Sequence, residues 1–251
     1  MTTTQGSKPQ RTKTQLTLPG QSHTAEGPHD HTGMYVMHFG FRRDLAGLAS
    51  AVARTPLGDT ATWTAVQQRW QLFADILHHH HAGEDAYYWP ALSAAVQVRG
   101  TVDDQRLVAA MEDEHAGIDP ALTACAAGIA EVLAHPCESH RAALEVRIVT
   151  FWEALDEHLA HEEGDTLPLV QRVMTAIEFA AAETAIERGA YPPRMIPVVL
   201  PWALHRLPAE ARARMQASAG PVLWLLDRLL RGGFERRESV AFRYSDVLLP
   251  N

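Results

Sequence analysis

With 251 residues, 46% of them apolar, the chain is long enough to bury a substantial core in one generous domain or one domain with appendages. Its 30 acidic residues outnumber 22 basic ones, and the net charge of -8 argues against a binder of nucleic-acid phosphates. Two cysteines exclude a disulfide framework, no run approaches the roughly 20 apolar residues of a membrane span, and the first residues lack the apolar core of a signal peptide, so the expected compartment is the cytoplasm.

Residues 1–32 are polar, rich in Thr, Gln, Lys, Gly and Pro, and read as a disordered tail holding the solvated His23, His29 and His31. From Met34 a helical period takes over: His38, Phe41, Leu45, Leu48 and Val52 form one stripe, ended by Pro56, Gly58 and Asp59. A second helix runs from about Ala61 into the nineties with Val66, Trp70, Phe73, Leu77, His80, Glu84 and Tyr87 aligned. The third, capped by Asp103 or Asp104, carries Val108, Met111, His115, Ile118, Leu122, Cys125, Ile129 and Val132, and Pro120 predicts a kink in it. Cys125 reads as a small buried residue of that stripe. The fourth helix aligns Leu144, Ile148, Phe151, Leu155, His158, Glu162, Thr166, Leu169 and Val173. Residues 33–176 are thus expected to form an all-α, up-down four-helix bundle, and residues 177–251 a helical extension. The extension carries no recognisable chemical motif, and its short helices are expected to pack on the bundle or on a second copy, with a protein partner as a further candidate contact.

The anomaly is histidine: ten of 14 fall between residues 38 and 161. Aligned on Pro90 and Pro168, the segment LHHHHAGEDAYYWP lies over LDEHLAHEEGDTLP, setting His80 over His158 and Glu84 over Glu162. Each half is His-x-x-x-Glu, whose members share a helix face. His38 and His115 precede these pairs by 42 and 43 residues, so the chain reads as two helical hairpins of one plan. All six side chains fall in apolar stripes, where a strongly polar group costs several kcal/mol unless it is paired or bound to metal. His38, His80, Glu84, His115, His158 and Glu162 are therefore the expected metal ligands, and six mixed donors suit two first-row ions better than one structural zinc. His81 with Glu84 or Asp85 would also fit a helix face. The repeat favours His80, because position 81 corresponds to Leu159, and it turns His78, His79 and His81 sideways or outward. His161 and Glu163 read as supporting or surface residues, His140 and His205 as solvent-facing or interfacial.

Four segments, MHFGFRRDL at His38, HHHHAGEDAYYWP, EDEHAGID at His115 and HLAHEEGDTLP, resemble the hemerythrin-like (HHE cation-binding) family in its bacterial form, over about residues 30–175. The resemblance implies two non-haem iron ions, oxo- or hydroxo-bridged and shared by the two carboxylates, with dioxygen, peroxide or nitric oxide as the ligand. One departure is visible. Oxygen-carrying hemerythrins place a second histidine four residues after the third-helix histidine, where this chain has Asp119. Either Asp119 or solvent is expected to fill that place and to favour redox turnover over reversible carriage. A peroxide-consuming di-iron oxidoreductase is one reading. A sensor of oxygen, redox state or iron, signalling through residues 177–251, is the alternative, and a structural bundle with adventitious metal ranks last.

Overall fold

Nearly every stripe read from the sequence becomes a helix in the computed structural model, which describes residues 12–189 and 191–247. Four long segments make the framework: α1 (Thr32–Arg54), α2 (Thr60–Gly83) continued by α3 (Trp89–Arg99), α4 (Val102–Ala134), and α5 (Glu138–His161) continued by α6 (Leu167–Val173). Asp59 caps α2 by accepting from the Thr62 amide. Thr101, not Asp103 or Asp104, caps α4. It does so in a capping box whose return bond comes from Asp104, so two orphan amides are satisfied at once.

The helices pack as a ring, α1 against α2 and α5, and α4 against α2 and α5. Neighbours run antiparallel. His38, early in α1, meets His80, late in α2, at 5.7 Å between ring centroids, and Arg42 reaches Asp156, late in α5, at 2.7 Å. The early His115 of α4 lies on the late His158 of α5, while a Cβ at the later Gly128 would touch Leu144 and Arg147 near the start of α5. Phe41, Trp70, Phe73 and Phe151, with ring separations of 5.5–5.9 Å, fill the layer next to the polar site. Burying each such ring stabilises the fold by roughly 1.5–3 kcal/mol, which sets the scale against which buried polar groups must be held.

α4 runs unbroken through Pro120. Among the described residues it is the one helix long and apolar enough, by length and composition, to cross a membrane, owing to a run of small residues that the sequence reading did not count as a span. Its stripe of Val108, Met111, His115, Ile118, Cys125, Ile129 and Val132 is packed inside the bundle.

Three further helices lie against the framework: α7 (Ala176–Gly189), α8 (Ile196–Leu204) and α9 (Ala209–Ala241), the last kinked where Gly220 takes φ 71° before Pro221. α7 covers α3 and the turn preceding it, and α8 and α9 lie on α1 and α2. Gly40 admits the last contact, since a Cβ there would sit 2.6 Å from the Trp202 indole. A buried ionic cluster, Arg43 and Asp44 of α1, Arg69 of α2 and Glu238 of α9, closes the same interface. Arg69 bonds Glu238 at 2.5 Å, and the Trp202 indole donates to Asp44 at 2.5 Å.

The expectation of a disordered tail is corrected for residues 12–31; residues 1–11 lie outside the described part. Leu16, Leu18 and Ala25 are buried in the core, and an antiparallel bridge joins Lys13 to Gly27. His29 and His31 are not solvated: each is 2% exposed, and both rings pack on Phe179 of α7. Composition misled here because three apolar side chains suffice to anchor a short polar segment when a preformed bundle supplies the rest of the surface.

Candidate metal centre

The two aligned segments share a backbone device. After α2 and again after α5 the helix widens for five residues, Glu84–Tyr88 and Glu162–Thr166, each closed by a bond from five residues on: Trp89 N–H to the Glu84 carbonyl, Leu167 N–H to that of Glu162. Such π turns are frequent at functional sites. Both here begin on the conserved-register carboxylate of the internal repeat, and Pro90 and Pro168 follow each turn at the start of the resumed helix.

All six residues expected as ligands are brought together and buried, none more than 8% exposed. His38 Nε2 lies 3.0 Å from Glu162 Oε2, His80 Nε2 3.2 Å from Glu84 Oε1, His115 Nε2 3.7 Å from Glu84 Oε2, and His158 Nε2 3.5 Å from Glu162 Oε1. Three groups can be drawn in which the donor atoms all lie within 4.8 Å: His38, His80 and Glu162; Glu84, His115 and Glu162; His81, His115 and His158. The groups overlap in Glu162 and His115, so the site is one elongated cavity of donors.

His81 is the correction. The sequence reading sent it sideways or outward, but it is 5% exposed and its ring stacks on His115 at 4.0 Å and meets His158 at 5.3 Å. The inward face of α2 is two residues wide at this height, because Ile76 and Leu77 are both buried, and His80 and His81 continue those two rows one turn later. His80 faces α1 and His81 faces α4. The repeat carried the same signal, since the counterpart Leu159 is itself fully buried. Asp119 is the converse case. It is exposed, and its backbone carbonyl, not its carboxylate, is engaged, by Thr123. The α4 stripe alternates steps of three and four, so the position after His115 falls on Ile118, leaving Asp119 on the outer face. His78 is exposed and His79 half-buried beside Tyr191, as the repeat required.

The ring nitrogens facing away from the cavity are held by acids that sequence reasoning undervalued. Glu163 Oε1 is 2.8 Å from His38 Nδ1, Asp85 Oδ1 is 2.8 Å from His115 Nδ1, and Glu114 spans His158 and His161 at 2.8 and 2.7 Å. A neutral imidazole that donates its Nδ1–H to a carboxylate keeps the Nε2 lone pair for a metal. The arrangement is reciprocal: the acid following Glu84 holds the lone histidine of the second hairpin, and the acid following Glu162 holds that of the first. Far from a surface residue, Glu163 is fully buried, and it also takes Arg42 at 2.6 Å and the Ser22 amide at 2.6 Å. The paired acids of HHHHAGED and HLAHEE were the available signal.

The donor set fits a cation. Apart from the His–Glu contacts just given, His38, His80 and His81 Nε2 and all four carboxylate oxygens of Glu84 and Glu162 are buried without a hydrogen-bond partner. Leaving them so costs several kcal/mol, and a cation among them would satisfy all. Burial pushes His80 down to about 3 and His81 well below its ordinary value, so both rings are neutral and ready to ligate. Burial and the Glu162 charge push Glu84 well up, whereas Glu162, despite burial, is held at about 2 by His158 and His38.

Residues 31–170, more than half of the chain, match the family described as the hemerythrin HHE cation binding domain. The chain belongs to that family. Searches of curated proteins and of solved structures returned no match. An HHE domain implies cation binding, and the His and Glu clusters are a site of that kind. The tandem His80–His81 of α2 brings a fifth histidine ring to the donor cluster, beside the single one from α4.

Proposed function

We propose that the HHE domain holds two non-haem iron ions and reacts there with a small oxidant, dioxygen, peroxide or nitric oxide. One observation carries the reading: two histidine groups, His38 with His80 and His81 with His115 and His158, flank two buried carboxylates whose four oxygens have no neighbour to satisfy them but these imidazoles. One group of three would serve a single ion; overlapping groups that share Glu162 and His115 suit a pair. When bound, the irons supply a changeable valence and an open position for the oxidant. The chain does the rest. Glu84 and Glu162 carry the shared negative charge, Glu163, Asp85 and Glu114 fix the rings of His38, His115 and His158, and the aromatic layer of Phe41, Trp70, Phe73 and Phe151 excludes water from one side.

Anaerobic reconstitution followed by metal analysis and an optical spectrum in air and under dithionite tests the reading. About two irons per chain, with near-ultraviolet bands that bleach on reduction, are expected from a bundle-core pair. One tightly held zinc with no iron retained overturns it. Rapid gas evolution from peroxide by the iron-loaded protein would mark turnover as its role.

A sensor reading has an observation of its own. Phe41 touches the His80 ring at 5.2 Å and the Trp202 indole at 5.3 Å, so one side chain joins the metal pocket to the C-terminal helices. Protease resistance of the C-terminal quarter that differs between reduced and oxidised protein would favour this role.

A further inference from the structure

We propose that the groove between α4 and α5 is the port through which divalent cations load the centre, with Glu114 and His161 as its gate; this rests on the metal-binding reading above. A centre whose donors are at most 8% exposed needs a way in. A cavity of about 460 Å³ opens between the two helices, lined by Glu114, Gly117 and Ile118 on one wall and Ala154, His158 and His161 on the other. His158 is 2% exposed and belongs to the group with His81 and His115, so the cavity floor is the centre itself.

Three features suit this groove to a cation rather than an anion or a bulky substrate. Its lip is acidic: Glu157 lines it and Asp165 lies 3.7 Å from His161 Nε2. One carboxylate, Glu114, bridges its two walls, spending one oxygen on His158 at 2.8 Å and the other on His161 at 2.7 Å, with His161 and Glu114 each about one-third exposed. An arriving cation can take Glu114 and His161 as its first partners while His158 keeps its own bond to the second oxygen. The α4 wall can give, because Pro120 has no N–H for the carbonyl of Ala116, and the bond that would brace this turn is missing. The port opens on the His81–His115–His158 end, so that end fills first and the His38–His80 end second.

Gly117 supplies a clean block. A Cβ there meets no atom within 4 Å, so Gly117→Leu starts its side chain into open space on the groove wall, and it raises helix propensity. Ala154→Leu adds bulk to the groove from the α5 wall. The full metal-free protein is mixed anaerobically with ferrous ion, quenched with chelator at intervals, and its retained iron counted. Each variant is also refolded in the presence of ferrous ion, a route that bypasses the port. The expected result is native-state uptake slowed about tenfold or more in a blocked variant, with the parent's full content after refolding. Glu157→Gln should slow uptake about threefold at low ionic strength, a difference that salt abolishes. The proposal stands if at least one blocked variant shows slow native uptake with full content on refolding, and any other pattern overturns it. A parent that holds no iron by either route instead overturns the metal-binding reading, which keeps the two failures apart.

Discussion

The two hairpins of the centre follow one plan but are not equivalent halves. Each supplies a lone histidine, a His-x-x-x-Glu pair and an acid directly after the glutamate. In the first hairpin the pair is doubled by His81, whereas the second has Leu159 at that place, so α2 sends a histidine to both ends of the site and α5 to only one. The supporting acids differ as well. Glu163, fully buried and braced by Arg42 and Ser22, grips His38, while Asp85, with 44% of its side chain exposed, grips His115. A repeat in sequence sets the positions of donors; burial decides how firmly each is held. The end served by α4 is therefore the looser one, and it is also the end that the groove reaches.

The largest effect is expected where the halves meet. Glu84→Ala or Glu162→Ala should abolish retention of both irons on gel filtration, since Glu162 belongs to two donor groups and Glu84 lies within 3.7 Å of both His80 and His115. Retention of both ions by either variant would refute their shared role. Next comes the asymmetry of the tandem histidines. His81→Ala and His80→Ala should each drop iron content from about two to about one per chain, a count set by donor number at a bundle-core pair, while His79→Ala keeps both. A His81→Ala protein that retains two irons returns that residue to a supporting role.

The supporting acids should then separate by burial. Glu163→Gln and Asp85→Asn should each weaken iron binding within the about 10- to 100-fold range typical of such partners, with Glu163 the costlier, read by competition with a chelator. Equal losses would remove the distinction drawn here. A gentler probe is the protonation of the lone histidines in metal-free protein. Burial lowers His38, but Glu162 and Glu163 outweigh it and its affinity for protons is raised; burial and the His158 charge lower His115 despite Asp85. His38 thus adds stability that is fully present below the unfolded value near 6.5 and is lost as pH rises through its higher folded value. His115 has the opposite sign, and stability falls as pH drops from 6.5 towards its lower folded value. Histidine NMR titration should find His38 releasing its proton at higher pH than His115, and Glu163→Gln should narrow the gap. The smallest effect belongs to Asp119→His. Because that side chain is exposed, iron content and peroxide turnover should match the parent's. A change in either would draw it back into the site.

Much of this was legible in the chain. The stripes gave all four long helices, and the two His-x-x-x-Glu pairs with His38 and His115 converge as their spacing implied. What escaped has identifiable causes. His81 was misjudged because a single stripe was drawn through α2, although Ile76 beside Leu77 already made the inward face two rows wide. Asp119 was over-read by counting four residues from His115 where the stripe of α4 steps by three. Glu114 went unread as a support, and the partner of Glu163 could not be named, because the bonds they make cross between helices, which no local pattern records. The π turns left a trace only in the matched prolines.

The Ser22 amide on Glu163 has a consequence for what counts as one module. The family match begins at residue 31 and ends at residue 170, yet neither is a physical seam. The strap before it supplies a donor to the acid that orients His38, and His29 reaches the Met174 carbonyl at 2.9 Å beyond the other end. A fragment trimmed to the matched residues would keep every histidine and glutamate of the centre. It would nevertheless lose the buried Leu16, Leu18 and Ala25 and leave Glu163 open to water on the side Ser22 now closes. In this chain, heredity and mechanics draw the boundary in different places.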